Sequence, residues 1–385
     1  MTVNIFKDTK YDFQIIDNTI ENIFSGEWGE ECIDKNGVSV IRTTNFTNDG
    51  IINFNNIIKR NVKEDKINNK ILKENDIIIE KSGGGDNTPV GRVVFCDSKI
   101  EKERYICNNF TYVLRINNLI NEPKYIFYYL FLMHKMGITE YFQNKTTGIR
   151  NLQLNDYLQI SIPLPSLEEQ ERIVKIIESK LIAVDKAKKA SDEQKILIEK
   201  LLSSVIQDIF YNKEGEKNSL GNICEFVYGD SLPKQNRVKG NIPVYGSNGQ
   251  IDLHSKSLTE GKTIIVGRKG SIGEVHYSEI GCWVIDTAYY VKPLIEINIQ
   301  YLYFLLKTLK LSKLNKASSI PGLNRDDVYK IDVNLPTIEE QERIVRIIET
   351  KLIAIKKTKN VVEELSSYIN ALPSSILRKA FNGEY

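Results

Sequence analysis

The sequence lacks the marks of a membrane protein, of a disulfide-rich protein and of a polycation. Its longest apolar run, Ile126–Met133, is far shorter than the roughly 20 residues of a membrane span. Its five cysteines are scattered and form no C-x-x-C pair, so neither a disulfide framework nor a zinc site is indicated. The 52 Lys and Arg against 50 Asp and Glu leave a net charge of only +2. We therefore expect a cytoplasmic protein that contacts any polyanion through local patches.

Motifs for nucleotide binding and for catalysis are missing as well. Ser82–Arg92, SGGGDNTPVGR, lacks the Gly-Lys-Ser/Thr ending of a P-loop, and GKT at Gly261–Thr263 has Lys256 where the first glycine belongs. GRKGSIG at Gly267–Gly273 does not have the dinucleotide-binding spacing. No two prolines are adjacent, which excludes the Asp/Asn-Pro-Pro-aromatic motif of amino-methylating DNA methyltransferases. We expect no catalytic residue, no metal site and no cofactor bound by this chain.

What the sequence does contain is one stretch in two copies. Residues 164–184, LPSLEEQERIVKIIESKLIAV, recur at 335–355 as LPTIEEQERIVRIIETKLIAI, with 16 of 21 positions identical at an offset of 171. The same offset relates LLSSVIQDIF (Leu201–Phe210) to LPSSILRKAF (Leu372–Phe381), and GIRNLQLNDY (Gly148–Tyr157) to SIPGLNRDDV (Ser319–Val328). A duplication that keeps its register over this distance determines the architecture.

Each copy predicts a long helix with an apolar seam. Ser166 with Glu169, and Thr337 with Glu340, have the spacing of a capping box. Apolar residues then recur every seven positions on two tracks, which is typical of a coiled coil. Copy one carries Leu167, Val174, Leu181, Leu202, Ile209 and Ile177, Val184, Ile198, Val205; copy two carries Ile338, Val345, Leu352 and Ile348, Ile355, Val362, Ile369, Ile376.

Two helices with one pattern pair most simply with each other, antiparallel, about a pseudo-twofold axis. The alternative, a duplicated amphipathic core helix, accounts for one copy but not for the shared register. Lys188 and Lys195 interrupt one track and weaken the packing there, and Pro373 predicts a break or kink in the second helix. We interpret Glu178 and Glu349 as surface charges.

The segments beside the helices alternate strand-like runs with glycine-containing turns. Examples are VSVIRTTNFT and DIIIEKSGGG in the first segment, and TIIVGRKGSIGEVHY and CWVIDTAYYV in the second. Each segment also has an aromatic helix, Tyr125–Met136 and Tyr301–Leu311, that we expect to fill a core. The predicted fold class is α+β: two mixed α/β globes joined by two long helices in an antiparallel coiled coil with pseudo-twofold symmetry. The predicted domains are globe 1 (1–162), the first repeat helix (163–211), globe 2 (212–334) and the second repeat helix (335–385).

The whole chain resembles the DNA-specificity subunit of type I restriction–modification systems. The resemblance is carried by the two LP(S/T)-x-EEQERIV helices, the closing SILRKAFNGEY, VIRTTNFTNDG and SGGGDNTPVGRVV in globe 1, and VYGSNGQ and IIVGRKGSIGEV…WVIDTAYYV in globe 2. It implies a non-catalytic subunit whose globes are target-recognition domains, each reading half of a bipartite site on double-stranded DNA. It also implies two methyltransferase subunits, which would carry S-adenosylmethionine, and restriction/translocase subunits as partners, with no membrane.

A coiled coil can hold two reading domains at about the 34–36 Å that separates half-sites one helical turn apart. It can also offer the same docking surface twice. The alternative function is a coiled-coil scaffold that reads no DNA sequence, which leaves the two glycine-looped globes unexplained.

Candidate DNA-binding residues lie in the polar and glycine-rich loops, where backbone can approach phosphate and side chains can reach base edges. The alternative for each loop is a tight hairpin or Asn/Ser turn with solvated charges. The loops Asn144–Asn151 and Asn315–Arg325 occupy equivalent places in the repeat. The predicted DNA-binding residues are Arg42, Thr43, Asn45, Lys81, Ser82, Arg92, Lys145, Arg150, Tyr245, Ser247, Asn248, Arg268, Lys269, Lys316 and Arg325.

Overall fold

A computed structural model of the chain describes residue 6 and residues 9–32, 37–83, 89–146, 149–210, 214–314 and 322–385. For residues 145–146 and 202–203 the description covers the backbone only. The chain forms two compact units: unit 1 comprises residues 1–190 and 365–385, and unit 2 comprises residues 191–364. Each long helix contributes to both units. Within the described residues, no helix has the length and apolar character that crossing a membrane requires.

Unit 1 is built on a four-stranded antiparallel sheet in the order β2-β10-β6-β8. A second sheet, β3-β5-β4-β9, contains a parallel pair between β4 and β9. The pair β1–β13 and the three-stranded sheet β11-β12-β7 complete the strands of unit 1. The elements are β1 (Phe13–Ile15), β2 (Ile20–Ser25), β3 (Glu30–Glu31), β4 (Val38–Ile41), β5 (Ile58–Asn61), α1 (Glu64–Asn68), β6 (Ile77–Glu80), β7 (Ser82–Gly83), β8 (Val93–Phe95), β9 (Tyr105–Cys107), β10 (Thr111–Ile116), α2 (Pro123–Lys135), β11 (Gln143–Thr146), β12 (Ile149–Leu152), α3 (Leu154–Leu158) and β13 (Ser161–Pro163).

The core of unit 1 lies on both faces of the main sheet, because the residues of β6 alternate. Ile77 and Ile79 face the aromatic helix α2, whereas Ile78 faces the second sheet. As predicted, α2 fills the core: Tyr125 and Tyr129 are fully buried. Their hydroxyls donate to the carbonyl oxygens of β13, which satisfies the polar ends of both rings.

Unit 2 repeats this plan. Its main antiparallel sheet has the order β15-β21-β18-β19, and the parallel pair β16–β20 lies in the sheet β17-β16-β20. The aromatic helix α6 packs on one face of the main sheet. The elements are β14 (Glu216–Ser219), α5 (Leu220–Ile223), β15 (Cys224–Tyr228), β16 (Ile242–Gly246), β17 (Gly249–His254), β18 (Thr263–Gly267), β19 (Val275–Ser278), β20 (Trp283–Val284), β21 (Ala288–Pro293), α6 (Ile299–Thr308), α7 (Arg325–Tyr329) and β22 (Asp332–Leu335).

The two repeat helices are α4 (Leu167–Phe210) and α8 (Ile338–Phe381), each of 44 residues. In unit 1 the start of α4 shares a core with the end of α8, including Ile177 and Leu377. In unit 2 the end of α4 shares a core with the first part of α8, including Ile198 and Ile355. The helices are therefore antiparallel, and the predicted apolar tracks form the contact.

A buried glutamine ties each long helix to its aromatic helix. The Oε1 atom of Gln170 accepts from the amide of Glu122, the N-cap of α2, and its Nε2 donates to the carbonyl of Pro165, both at 2.9 Å. Gln341 makes the same two bonds in unit 2, to Asn298 and Pro336. Both glutamines are 1% exposed. The repeated sequence thus carries the attachment of each globe.

Four local predictions differ from the structure. Of the break or kink predicted at Pro373, the break does not occur: α8 continues to Phe381, because the turns after the proline are buried against the unit 1 core. The Ser166 hydroxyl caps the amide of Glu169, but the Glu169 carboxylate pairs with Arg172. That guanidinium lowers the pKa of Glu169 to about 2.

The other two predictions that differ from the structure concern the loop Asn144–Asn151 and the glutamates Glu178 and Glu349. Residues 144–146 and 149–151 lie in the antiparallel pair β11–β12, which β7 extends, rather than in a loop. Glu178 and Glu349 are not only surface charges, because each contacts the aromatic helix of its unit. Glu178 pairs with Lys124 at 2.6 Å, and Glu349 accepts from Gln300 at 2.9 Å.

Ser191 gives a test of the apolar track. It occupies the position that Val362 fills in the other copy, it is 3% exposed, and its Oγ has no hydrogen-bond partner in the described structure. We expect Ser191→Val to raise the free energy of unfolding by about 1 kcal/mol, because it removes an unsatisfied buried hydroxyl and adds apolar contact. Thermal denaturation measures the change. Ser179→Val, at an exposed position of the same helix, is the control for helix propensity; equal effects of the two variants would contradict the assignment.

Candidate nucleic-acid interface

The candidate residues are positioned by a backbone frame at one end of the main sheet. In unit 1, the amides of Lys81 and Ser82, just after β6, both donate to the carbonyl of Phe110 at 2.8 and 3.2 Å. The carbonyl of Lys81 accepts from the amide of Leu152 at 2.8 Å. The loop after β6 is therefore fixed to the start of β10 and to the end of β12.

The same frame occurs in unit 2. The amides of Arg268 and Lys269, just after β18, both donate to the carbonyl of Thr287, at 2.9 and 3.1 Å. The carbonyl of Arg268 accepts from the amide of Leu323 at 2.9 Å. Lys81 and Arg268 therefore occupy equivalent positions. Leu152 and Leu323 are 171 residues apart, but Lys81 and Arg268 are 187 apart, so the sequence register conceals their equivalence.

In unit 1 the residues around Arg42 are largely engaged with their own loop. Asn45 is 3% exposed; its Oδ1 accepts from the amide of Arg42 and its Nδ2 donates to the carbonyls of Asn53 and Asn55. The guanidinium of Arg42 donates to the carbonyl of Asn56 at 3.1 Å. These contacts are the turn chemistry that the sequence left as an alternative.

Arg92 links two of the candidate loops. Its guanidinium forms two bonds of 2.9 Å with Glu80 and donates to the carbonyl of Thr43 at 3.2 Å. Glu80 is 4% exposed, and the hydrogen bonds that its carboxylate accepts from the guanidinium raise the pKa of Arg92. The charge of Arg92 is thus already compensated within the protein. Nothing in the sequence marked Glu80, because it lies twelve residues from Arg92 on a neighbouring strand.

A second group in unit 1 joins Lys81, Ser82 and Arg150. The Nζ of Lys81 lies 4.8 Å from the ring centroid of Tyr112. The Ser82 hydroxyl donates to Asn151, and the strand pairing places Arg150, which is 8% exposed, opposite Gly83. Lys145 lies opposite Arg150 in the antiparallel pair β11–β12, and its side chain lies outside the described part of the structure.

In unit 2 the candidate residues converge on the loop after β18. Tyr245 is partly buried, and its burial raises the pKa of the phenol. The carbonyl of Ser247 accepts from the imidazole Nε2 of His276 at 3.2 Å. The YGSN and GRKG loops lie side by side, because a Cβ atom built on Gly270 would be only 3.4 Å from the Ser247 hydroxyl. Asn248 and Lys269 are exposed, and Lys316 falls outside the described residues.

Arg268 and Arg325 meet at a residue that the sequence analysis did not single out. The Cζ atoms of both arginines lie 5.0 Å from the ring centroid of Tyr228, which is 48% exposed. The sequence feature that could have indicated Tyr228 is the similarity between SGE (Ser25–Glu27) in unit 1 and YGD (Tyr228–Asp230) in unit 2. In both, the glycine amide donates at 3.1 Å to the carbonyl of the first residue of the adjacent strand, which is Thr111 of β10 in unit 1 and Ala288 of β21 in unit 2. The described residues include no group of three His, Cys, Asp or Glu side chains that could hold a metal ion.

Comparison with protein families explains the shared frame. A family model described as the type I restriction modification DNA specificity domain matches residues 22–194 and again residues 212–365. The chain belongs to this family. It is thus a specificity subunit of the type I class, a non-catalytic kind of subunit, with two copies of the family domain.

Curated relatives agree with this assignment. The chain is 23% identical to the EcoprrI specificity subunit of Escherichia coli, over 59% of this chain and 60% of that protein. It is 30% identical to the Escherichia coli EcoDI specificity subunit over 25% of this chain and 22% of that protein. The MjaVIII specificity subunit of Methanocaldococcus jannaschii is 25% identical, over 79% of this chain and 80% of that protein.

Two solved structures share the fold. A chain from a study of complex assembly and conformational transition of the type I R-M system superposes with a TM-score of 0.73 at 18% identity, covering 97% of this chain and 98% of that one. The HsdS subunit from Thermoanaerobacter tengcongensis gives a TM-score of 0.63 at 18% identity, with 97% of each chain covered. The two-globe α+β fold of this specificity subunit is therefore that of its family.

Variants at Arg92 and Glu80 test whether this ion pair stabilises the folded specificity subunit. We expect Arg92→Met to lower the free energy of unfolding by about 2 kcal/mol, because it leaves the buried Glu80 carboxylate without its partner. Adding Glu80→Gln should recover most of that loss, since the uncompensated charge is then gone. Thermal denaturation of the two variants measures both effects. Arg104→Met breaks an exposed ion pair with Glu64 and should change stability little. An Arg92→Met protein as stable as the parent would contradict the pairing.

Proposed function

We propose that this specificity subunit reads a bipartite sequence on double-stranded DNA and directs methylation and restriction by partner subunits in the cytoplasm. The observation that carries the proposal is the equivalence of Lys81 and Arg268. Each unit presents a cation on the same backbone frame, and the flanking loops differ between units. A shared frame with different loops suits two half-sites of different sequence.

The chemistry of the loops supports reading rather than catalysis. Arg, Lys, Ser and Asn side chains donate to phosphates and to base edges, and Arg268, Lys269 and Asn248 are partly or fully exposed. We propose that S-adenosylmethionine is bound by the methyltransferase subunits and not by this chain. A scaffold without sequence reading is the competing function, and the experiment below separates the two.

The repeat supports two methyltransferase subunits as partners. Ile182 on α4 and Ile353 on α8 are equivalent residues of the repeat, and each is 58% exposed. Ile353 lines a groove of about 970 Å³ in unit 2, together with Tyr277, Tyr303 and Leu352. Ile182 lines a smaller groove in unit 1. An exposed apolar residue repeated at the same position favours one kind of partner that docks twice.

The reading function is tested by methylation-aware sequencing of DNA from cells that express this chain with a methyltransferase subunit. We expect a bipartite adenine motif that is absent when this chain is omitted. Replacing residues 212–334 with the same segment of another family member should change one half of the motif and leave the other intact. A soluble complex that yields no motif would favour the scaffold, and a change in both halves would contradict independent reading.

The docking prediction concerns stoichiometry. We expect Ile182→Glu and Ile353→Glu each to reduce the complex from two methyltransferase subunits to one, and the double variant to bind none, because each change buries a charge in an apolar contact. Native mass spectrometry gives the subunit count. Ile196→Glu is the matched control: Ile196 is 54% exposed on the same helix, but its repeat equivalent is Ser367. A single variant that loses both partners, or neither, would contradict the proposal.

A further inference from the structure

Unit 2 holds two arginines from separate segments on one tyrosine ring. Arg268 follows β18, Arg325 begins α7, and Tyr228 ends β15. The Cζ atom of each guanidinium lies 5.0 Å from the centroid of the Tyr228 ring, within the range of a cation–π contact. The Tyr228 ring itself is supported by Tyr289, with centroids 5.0 Å apart.

Both arginines are held by further contacts. The backbone of Arg268 is fixed at its amide by Thr287 and at its carbonyl by Leu323. Leu323 lies two residues before Arg325, whose Nη1 donates to the carbonyl of Phe226 at 3.3 Å. The backbone of Arg268 and the guanidinium of Arg325 are thus held before any ligand arrives, which lowers the entropy that a ligand must remove on binding.

The two charges have no counter-ion in the described structure. No ion pair among the described residues, at the 4.0 Å limit, includes either arginine, and the Nε of Arg268 is buried without a hydrogen-bond partner among them. Like charges on one ring repel each other, so the arrangement gains most when an anion binds between or beside them. Arg92 in unit 1 is the contrast, because Glu80 already neutralises it.

The described residues of unit 1 do not repeat the cluster. The backbone frame makes Lys81 equivalent to Arg268, and the strand pairing makes Ser25 equivalent to Tyr228. Leu154 is the equivalent of Arg325, because each lies two residues after the equivalent residues Leu152 and Leu323. In unit 1 the Nζ of Lys81 instead lies over the ring of Tyr112, the residue equivalent to Tyr289.

We infer that Arg268 and Arg325 together bind one backbone phosphate of the DNA, and that Tyr228 is the residue that positions them. The inference rests on the proposed DNA-reading function. A guanidinium pair matches the oxygens of a phosphodiester, and two uncompensated cations match its charge better than they match the neutral edge of a base.

The test uses the complete complex with its methyltransferase subunits and a DNA duplex carrying the motif found by sequencing. Fluorescence anisotropy gives the affinity over a series of NaCl concentrations, for the target and for an unrelated duplex. The variants are Arg268→Gln, Arg325→Gln, the double variant, Tyr228→Phe and Tyr228→Leu. Lys292→Gln is the control, because its Nζ lies 5.6 Å from the Tyr290 ring, near the other end of β21.

We expect each arginine variant to weaken target and unrelated DNA alike by about 10-fold, the typical size of a charged hydrogen bond. The double variant should lose little more, because both residues serve one phosphate, and its salt slope should fall by about 0.9. Tyr228→Phe should keep the parent affinity, since it keeps the ring. Tyr228→Leu should weaken binding although the number of cations is unchanged.

Other results would overturn the inference. A loss confined to one base position with an unchanged salt slope would make the arginines base readers. Parent affinity in the double variant would remove them from the interface, and a Tyr228→Leu protein that binds like the parent would remove the positioning role. If the parent complex itself prefers no sequence, the proposed reading function fails; if the parent reads its target while the variants are unaffected, only the inferred phosphate binding fails. Thermal denaturation of every variant separates misfolding from lost contacts.

Discussion

The attachment of each globe to its long helix depends on one buried amide side chain. Gln170 and Gln341 each satisfy the first free amide of an aromatic helix and a proline carbonyl at the start of the long helix. A buried amide or carbonyl that lost this partner would cost roughly 1–3 kcal/mol, so the geometry is strongly favoured. The aromatic helix in turn supports the main sheet, and the main sheet ends in the frame that carries Lys81 or Arg268. Gln170 and Gln341, which belong to the repeated sequence, therefore help to determine where each candidate loop lies relative to its long helix.

The architecture was largely predictable from the sequence because periodicity is a local signal. Most residues of the seven-residue tracks, such as Ile177 and Ile348, are buried, whereas others, such as Leu167 and Leu352, are half-buried; the aromatic runs predicted α2 and α6. The failures were of another kind. Pro373 is a helix breaker by propensity, but the apolar residues after it, such as Phe381, are buried in the unit 1 core, and that packing outweighs the lost hydrogen bond.

The site was less predictable because its geometry comes from contacts between distant segments. The residue types of the loops indicated where to look, but not which side chains are already engaged. Asn45 satisfies its own loop, and Arg92 neutralises Glu80 across neighbouring strands. The pairing of Arg268 with Arg325 requires a tyrosine from a third segment. Insertions of different length between the equivalent strands changed the sequence offset from 171 residues to 187. A comparison of the repeats at the constant offset of 171 therefore could not reveal that Lys81 and Arg268 are equivalent.

The division of the chain into units has a consequence for the order in which the protein forms during synthesis. Unit 2 consists of the continuous residues 191–364, whereas unit 1 needs residues 365–385 as well as 1–190. Phe381 is fully buried and its ring contacts Phe6, Tyr125 and Tyr129. On the ribosome, where domains generally fold as they emerge, the first globe to leave the exit tunnel is the last to complete its core. Until then the face of α2 that receives Phe381 stays open, and a chaperone or a pause in elongation would act on globe 1 and not on globe 2.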